Sequence, residues 1–247
     1  MANPHRETAV SALVDEDWRA AGDAYTRAAH RVLGDGERGG DVLAADAHGR
    51  PADGFASLLT ASLCYRVAGL KDRARYRALT VAPLVMDARD YVHSGVARAV
   101  CQEFVADAAV LRGAADAADD AYDRAESLYH KHAPDDPLDA ATDPVFEAAN
   151  RLILHASRNT GHDLEWDDLH GDDPSDPSYL AHRATVKRGR FPRIVDAVEQ
   201  AGVLHVPRGS TEYNNDTFRC PDCGGHDVNY IAGETVCLDC SVRVDER

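Results

Sequence analysis

Two Cys-x-x-Cys pairs near the C-terminus constrain the fold of this chain more than any other feature. Cys220 and Cys223 form the first pair, and Cys237 and Cys240 form the second. Two cysteines spaced in this way can direct both thiolates at one ion, and two such pairs complete a tetrahedral set. Because sulfur fills all four positions, none stays open for water, so we expect a structural metal ion rather than a catalytic one.

The segment around these pairs closely resembles a zinc ribbon. Gly224 allows a tight backbone turn behind the first pair, and residues 228–231 and 235–236 have the composition of two short strands. The resemblance implies a small β module over residues 213–247 that holds a structural Zn²⁺ ion. An iron centre of the rubredoxin type is the alternative, since four thiolates also suit iron. The module has too small a core to fold alone, so its folding should depend on the metal.

The rest of the chain has the composition of a helical protein. Apolar residues make up 44% of the sequence but aromatic residues only 6%, and apolar side chains recur at helical spacing between glycines and prolines. This predicts a mainly α fold, with a helical domain over residues 10–160, a loop over 35–54 and a third helix bent or shortened by Pro83. Helices are expected at 13–33, 55–69, 72–86, 96–112, 115–129, 143–156, 179–190 and 191–201. Asp143 and Pro144 open the helix at 143–156, and Gly202 ends the last one.

Short internal similarities suggest that the helices repeat. Residues 24–28 and 121–125 share the pattern Ala-Tyr-x-Arg-Ala, and Gly69 and Gly113 each separate two predicted helices. The region 13–130 resembles the tetratricopeptide repeat and its relatives, in which small residues let paired helices pack closely. That resemblance implies a concave face that binds a peptide or a protein partner. An alanine-rich helical bundle without a solenoid is the alternative.

The charge of the chain is unusual in amount and in kind. There are 42 acidic residues against 27 basic ones, a formal net charge of -15, and only Lys71, Lys131 and Lys187 are lysines. Such a composition suits a protein kept soluble in concentrated salt and predicts a halophilic source; a high-GC genome is the alternative. The architecture is also similar to uncharacterised haloarchaeal proteins, which implies no activity. A chain this acidic is not a general polyanion binder.

One local patch is basic and is the candidate for nucleic-acid binding. It lies in a short segment, residues 179–206, which follows an acidic linker at 161–178. We expect Arg183, Lys187 and Arg190 to share one helical face that can hold a phosphate backbone. The alternative is that these cations pair with the acidic linker or with the helical domain. The candidate residues are Arg183, Lys187, Arg188, Arg190 and Arg193.

Neither the familiar catalytic motifs nor a membrane segment is present in the sequence. It contains no phosphate-binding glycine loop and no nucleophile elbow. The acidic stretch 162–173 can be considered as a cation site of a metal-dependent enzyme, but a hydrated linker is favoured over it. No apolar run is long enough to span a bilayer, and the first residues lack the apolar stretch of a signal peptide. We therefore expect a cytoplasmic protein without enzymatic activity.

These observations lead to two functional hypotheses. The first is a non-enzymatic, zinc-binding adaptor or regulator that binds a protein partner through the helical repeat-like surface. The second is a nucleic-acid-associated factor, in transcription or translation, that uses the basic segment together with the zinc ribbon. The sequence makes no prediction about the oligomeric state.

Overall fold

The structure is a computed structural model, and it describes residues 3–34 and 49–246. It confirms a mainly α fold with a small antiparallel β region at the C-terminus. The helices within the described ranges are α1 (Pro4–Val14), α2 (Trp18–Gly34), α3 (Gly49–Val67), α4 (Lys71–Tyr91), α5 (Ala97–Leu111), α6 (Ala115–Lys131), α7 (Pro137–Ala141), α8 (Pro144–Ser157) and α9 (His182–Ala201).

The strands belong to the segment that carries the cysteines, residues 210–246, called here the cysteine module. They form one three-stranded antiparallel sheet in the order β1-β3-β4 and a second, two-stranded pair of β2 with β5. In the larger sheet Val228 lies opposite Cys237, so the end of β4 brings the second cysteine pair to the edge of the sheet. The strands are β1 (Ser210–Glu212), β2 (Phe218–Arg219), β3 (Val228–Ile231), β4 (Glu234–Cys237) and β5 (Asp245–Glu246).

Local capping residues explain where several helices begin and end. The side chain of Asp17 accepts a hydrogen bond from the Ala20 amide at 2.8 Å, at the start of α2. Asp143 does the same for the Val145 amide at 2.9 Å, with a proline at the first helical position. Gly202 ends α9 in the left-handed conformation at φ 67°, which costs glycine little. The sequence predicted both Asp143 and Gly202 in these roles.

Consecutive helices pack side by side along the chain from α1 to α6. Gly69 and Gly113, both at positive φ, make the turns between α3 and α4 and between α5 and α6, as the sequence predicted. Helices α2 and α3 approach closely because Gly22 lies against Tyr65: a Cβ atom on Gly22 would lie 2.7 Å from the Tyr65 ring. The Tyr65 hydroxyl then donates to Asp23 at 2.6 Å. Small residues therefore set the spacing of these helices.

The last two long helices fold back over the earlier ones. Helix α8 contacts α3 and α5, and α9 contacts α3, α5, α6 and α8. One continuous apolar core results, and it extends from α1 through α9 to Val236 of β4. Helices α3 and α5 are therefore covered by the chain itself and present no open face to a partner.

Some predicted boundaries differ from the structure. Helix α1 was not predicted, although Asn3 caps it. The predicted loop at 35–54 is helical from residue 49, and residues 35–48 lie outside the described residues. Helix α4 runs through Pro83 to Tyr91, and α9 runs through Pro192 where two helices were expected. Helix α4 packs against α3 and α5, and α9 packs against α3, α5, α6 and α8, so tertiary packing outweighs the hydrogen bond that each proline removes.

None of the helices in the described part of the chain combines sufficient length with sufficient hydrophobicity to cross a bilayer.

Candidate functional site

The four predicted metal ligands come together at one end of the cysteine module. Cys220 and Cys223 follow β2, while Cys237 and Cys240 lie at the end of β4 and just after it. The Sγ atoms of Cys220 and Cys240 are 3.3 Å apart, those of Cys223 and Cys237 are 3.5 Å apart, and all four lie within 4.8 Å of one another. Tetrahedral coordination at about 2.3 Å per metal–sulfur bond separates the sulfur atoms by about 3.8 Å. The cluster therefore has the geometry of a metal site.

Backbone amides around each pair point to one sulfur atom. The N–H groups of Asp222 and Cys223 point to Cys220, and those of Asp239 and Cys240 point to Cys237, where burial outweighs them and raises the pKa of the thiol to about 11. Burial opposes ionisation of Cys220, but these amides and the neighbouring thiols outweigh it and lower its pKa to about 7. A sulfur with a lowered pKa is available as a ligand near neutral pH.

Each cysteine pair is followed by a residue in the left-handed conformation. Gly224 has φ 73°, as the sequence predicted, and Ser241 has φ 63°. Ser241 is not a glycine, so its conformation carries strain. Two hydrogen bonds hold it in place, because its Oγ accepts from the Val206 amide at 3.1 Å and lies 3.2 Å from Nδ1 of His205. The second turn is therefore fixed by the chain that leads into the module.

The cysteine module is attached to the helices through its second cysteine pair. The guanidinium of Arg158, at the end of α8, donates to the carbonyl of Leu238 at 2.5 Å and also to the carbonyl of Val206. The neighbouring Asn159 donates to the carbonyl of Asp239. Leu238 and Asp239 lie between Cys237 and Cys240. The helical part of the chain is therefore hydrogen-bonded to the backbone of the turn that carries the second cysteine pair.

The acidic stretch 162–173 does not form a second metal cluster. In residues 3–34 and 49–246, no group of three or more His, Cys, Asp or Glu side chains other than the four cysteines is close enough to share an ion. The acidic stretch instead packs on the helices. Leu164 and Leu169 are buried, and the Trp166 ring stacks on His170 at 4.1 Å.

The proposed nucleic-acid face is not formed as the sequence predicted. Arg183 and Lys187 are completely buried, so neither can reach a phosphate backbone. Arg183 makes two hydrogen bonds to Glu103, at 2.8 and 3.1 Å. Lys187 lies 2.9 Å from Glu103 and 2.8 Å from Asp107. The structure corrects the prediction for these two residues and supports the alternative, in which they pair with the helical domain.

The other three candidates on α9 are only partly buried or are exposed. Arg188 forms ion pairs with Asp123 and Glu126 of α6. Arg190 is half-buried, and one of its nitrogens lies 3.4 Å from the carbonyl of Asp163. Arg193 is exposed. A nucleic-acid role through these residues stays a prediction.

The acidic partners of Arg183 and Lys187 were missed by sequence reasoning. Glu103 and Asp107 lie one turn apart on α5 and are buried, and the Tyr122 hydroxyl donates to Asp107 at 2.6 Å. Burial alone would raise the pKa of Glu103, but the charges of Arg183 and Lys187 lower it to about 2. Two acids spaced by four residues within a largely apolar helix were the available signal.

A buried histidine beside the module makes folding sensitive to acid. Burial lowers the pKa of His155 from 6.5 to about 4, although its Nε2 donates to the carbonyl of His205 at 2.6 Å. The unfolded chain therefore binds a proton at higher pH than the folded chain does. Stability should fall as the pH drops from 6.5 towards 4, by up to about 3 kcal/mol for this residue.

Urea unfolding at several pH values, compared between the native chain and His155→Gln, tests this expectation. Glutamine keeps an N–H donor for the His205 carbonyl but does not titrate, so the variant should lose less stability between pH 6.5 and 4. Acid release of metal affects both proteins equally and cancels in the comparison. Identical pH profiles would contradict the assignment.

Comparison of the chain with protein-family models, with curated proteins and with solved structures finds no match. The resemblances to the tetratricopeptide repeat and to haloarchaeal proteins therefore stay predictions. The assignment of the four cysteines as a possible metal site rests on the geometry of their sulfur atoms.

Proposed function

We propose that the four cysteines hold one structural Zn²⁺ ion. The support for zinc is the all-sulfur ligand set, which leaves no position for water or substrate, and the amide N–H groups directed at Cys220 and Cys237. Elemental analysis of protein purified without added metal should find one zinc per chain. A rubredoxin-like iron centre would instead give iron and strong visible absorption.

We further propose that the chain is a non-enzymatic adaptor whose partner binds the outer face of α4. The observation that carries this proposal is a concentration of exposed apolar side chains on one helix. Of the seven large hydrophobic residues that are exposed in the described part of the chain, five lie on α4. They include Tyr91, 80% exposed, and Tyr76, 65% exposed; the others are Leu79, Leu84 and Met86. A concentration of exposed apolar side chains on one helix is typical of an interaction site.

The partner site lies on α4 because the repeat-like face is occupied within the chain. Helices α8 and α9 lie against α3 and α5, and the ion pairs of Arg183 and Lys187 close that interface. Opening it for a peptide would leave buried charges without partners, which is costly. A partner that binds the outer face of α4 does not have to open this buried interface.

The charges of α4 indicate the chemistry of its partner. The first half of the helix is basic, although the chain as a whole is strongly acidic. Lys71 and Arg73 pair with Glu199 and Asp23, whereas Arg75 is exposed. The basic residues in this half are Lys71, Arg73, Arg75 and Arg77. A partner helix with one apolar face and flanking acidic residues complements such a surface.

Site-specific photocrosslinking tests this adaptor function. A photoreactive phenylalanine at Tyr76 should crosslink to a protein in extract at high salt, after nuclease treatment, whereas the same group at Leu138 should not. Leu138 is a matched control because it is also exposed, at 48%, but lies on α7. The crosslinked segment, made as a peptide, should be an acidic amphipathic helix.

Binding of that peptide should then depend on the apolar face of α4. Leu79→Glu together with Met86→Glu should weaken it by about tenfold or more, while Leu138→Glu should leave it unchanged. If the crosslinked protein is a second copy of this chain, and light scattering shows a dimer, the chain associates with itself and the proposed partner is not needed. Equal crosslinking at Tyr76 and Leu138 would overturn the proposal.

A further inference from the structure

Helix α4 has a proline in the middle of the face that the proposed partner covers. Pro83 lies inside the helix and is exposed. Leu79, one turn earlier, is exposed as well, and so are Leu84 and Met86, which follow the proline. Residues four positions apart are neighbours on a helix surface. Pro83 therefore lies among the exposed apolar side chains of α4.

The proline leaves one backbone acceptor of α4 without its usual donor. In an α-helix the amide of residue 83 donates to the carbonyl of residue 79, and proline has no amide hydrogen. The amides of Ala82 and Leu84 serve the carbonyls of residues 78 and 80 in the same pattern. Because Leu79 and Pro83 are both exposed, the carbonyl of Leu79 lies on the solvent side of the helix.

The hydroxyl group of the next residue does not replace the missing amide. Oγ1 of Thr80 donates to the carbonyl of Arg77 at 2.7 Å, so it is used in another turn of the helix. In the free protein, water can hydrogen-bond to the exposed Leu79 carbonyl. A partner that covers this face removes that water, and a buried acceptor without a donor is costly.

We propose that the partner helix carries, within its apolar face, one side chain with an N–H or O–H group that donates to the carbonyl of Leu79. This inference rests on the adaptor function proposed above, because it concerns the face of α4 that the partner binds. A uniformly apolar partner helix would bury the carbonyl without a donor and would bind less tightly. The free carbonyl thus adds a specific requirement to a surface that otherwise selects for apolar area and charge.

Pro83→Ala tests the first step of this argument without any partner. Alanine supplies the missing amide and favours helix, so the variant should fold and be at least as stable as the native chain. The new amide at position 83 should donate to the Leu79 carbonyl and exchange with solvent at least tenfold more slowly than an unprotected amide. Unprotected exchange at this position would overturn the proposal.

The second step uses the segment that crosslinks at Tyr76, made as a peptide. This peptide should bind Pro83→Ala at least threefold more weakly than it binds the native chain, because the new amide competes for the Leu79 carbonyl. Pro192→Ala is the matched control. Pro192 also lies inside a helix, but that helix is α9, so the peptide should bind this variant as it binds the native chain.

A double-mutant cycle then identifies the donor on the peptide. Each polar residue of its apolar face is replaced in turn by an apolar residue of similar shape. One replacement should weaken binding to the native chain about tenfold, but binding to Pro83→Ala by less than threefold, because only the native chain has a free acceptor.

The outcomes separate this inference from the adaptor function. Equal crosslinking at Tyr76 and Leu138 would overturn both of them. Specific crosslinking at Tyr76 would leave the adaptor function standing, and equal affinity of the peptide for the native chain and Pro83→Ala would then overturn this inference alone. The same conclusion would follow if no replacement in the peptide distinguished the two proteins.

Discussion

Chelating the metal should unfold the cysteine module while the helices stay folded. Metal binding by four cysteines contributes roughly 10–16 kcal/mol to the folding of small modules, and the sheets here have few apolar residues of their own. Most of the apolar core belongs to the helices, where Phe55, Phe104 and Phe146 are fully buried. Hydrogen exchange should therefore become fast in β1 to β5 and stay slow in α3, α5 and α8.

Alkylation of thiols gives a sharp measure of the same effect. Metal-loaded protein should react slowly at every cysteine, and chelation should make four thiols reactive, those of the metal cluster. Cys64 and Cys101 are controls because they are buried in the helical core, where burial raises the pKa of Cys101 to about 12. These two should react only after full denaturation. Reaction of Cys64 on chelation alone would show that the helices also depend on the metal.

Replacing Lys187 with methionine should destabilise the helical part of the chain by about 3–5 kcal/mol. The change leaves Asp107 buried without its cation and removes one of the two cations beside Glu103. It also leaves the carbonyl of Ala149 without the donor that Lys187 supplies at 3.0 Å. The midpoint of urea unfolding should fall accordingly.

Lys131 supplies the matched control for this experiment. It is an exposed lysine at the end of α6, so Lys131→Met should change stability by less than about 0.5 kcal/mol. Adding Asp107→Leu to Lys187→Met should restore part of the loss, because the unpaired carboxylate is then removed. Equal midpoints for the two lysine variants would show that the buried ion pairs contribute nothing.

The sequence was informative wherever a local pattern determined a structure. The spacing of the cysteines predicted the metal cluster, and helical periodicity with Gly69, Gly113 and Gly202 predicted most helices and turns. These features depend on residues that are close in the chain. The mainly α fold and the small β module could therefore be predicted before any tertiary contact was known.

The parts that could not be predicted depend on distant residues. Arg183 and Lys187 read as an exposed basic stripe because their partners, Glu103 and Asp107, lie 80 residues earlier in the chain. Pro83 predicted a bent or shortened helix because the local conformational preference of proline does not include the packing of α3 and α5 against α4.

The ribosome makes the acids of α5 well before it makes the cations of α9 that pair with them. Helices α1 to α6 emerge while Glu103 and Asp107 still lack the two side chains that neutralise them. Because charged groups resist removal from water until they are paired, the nascent chain should keep α5 hydrated until α9 has left the exit tunnel. Completion of the helical core is thus postponed until α9 has been made, and a chain that stops before α9 would be a substrate for proteolysis.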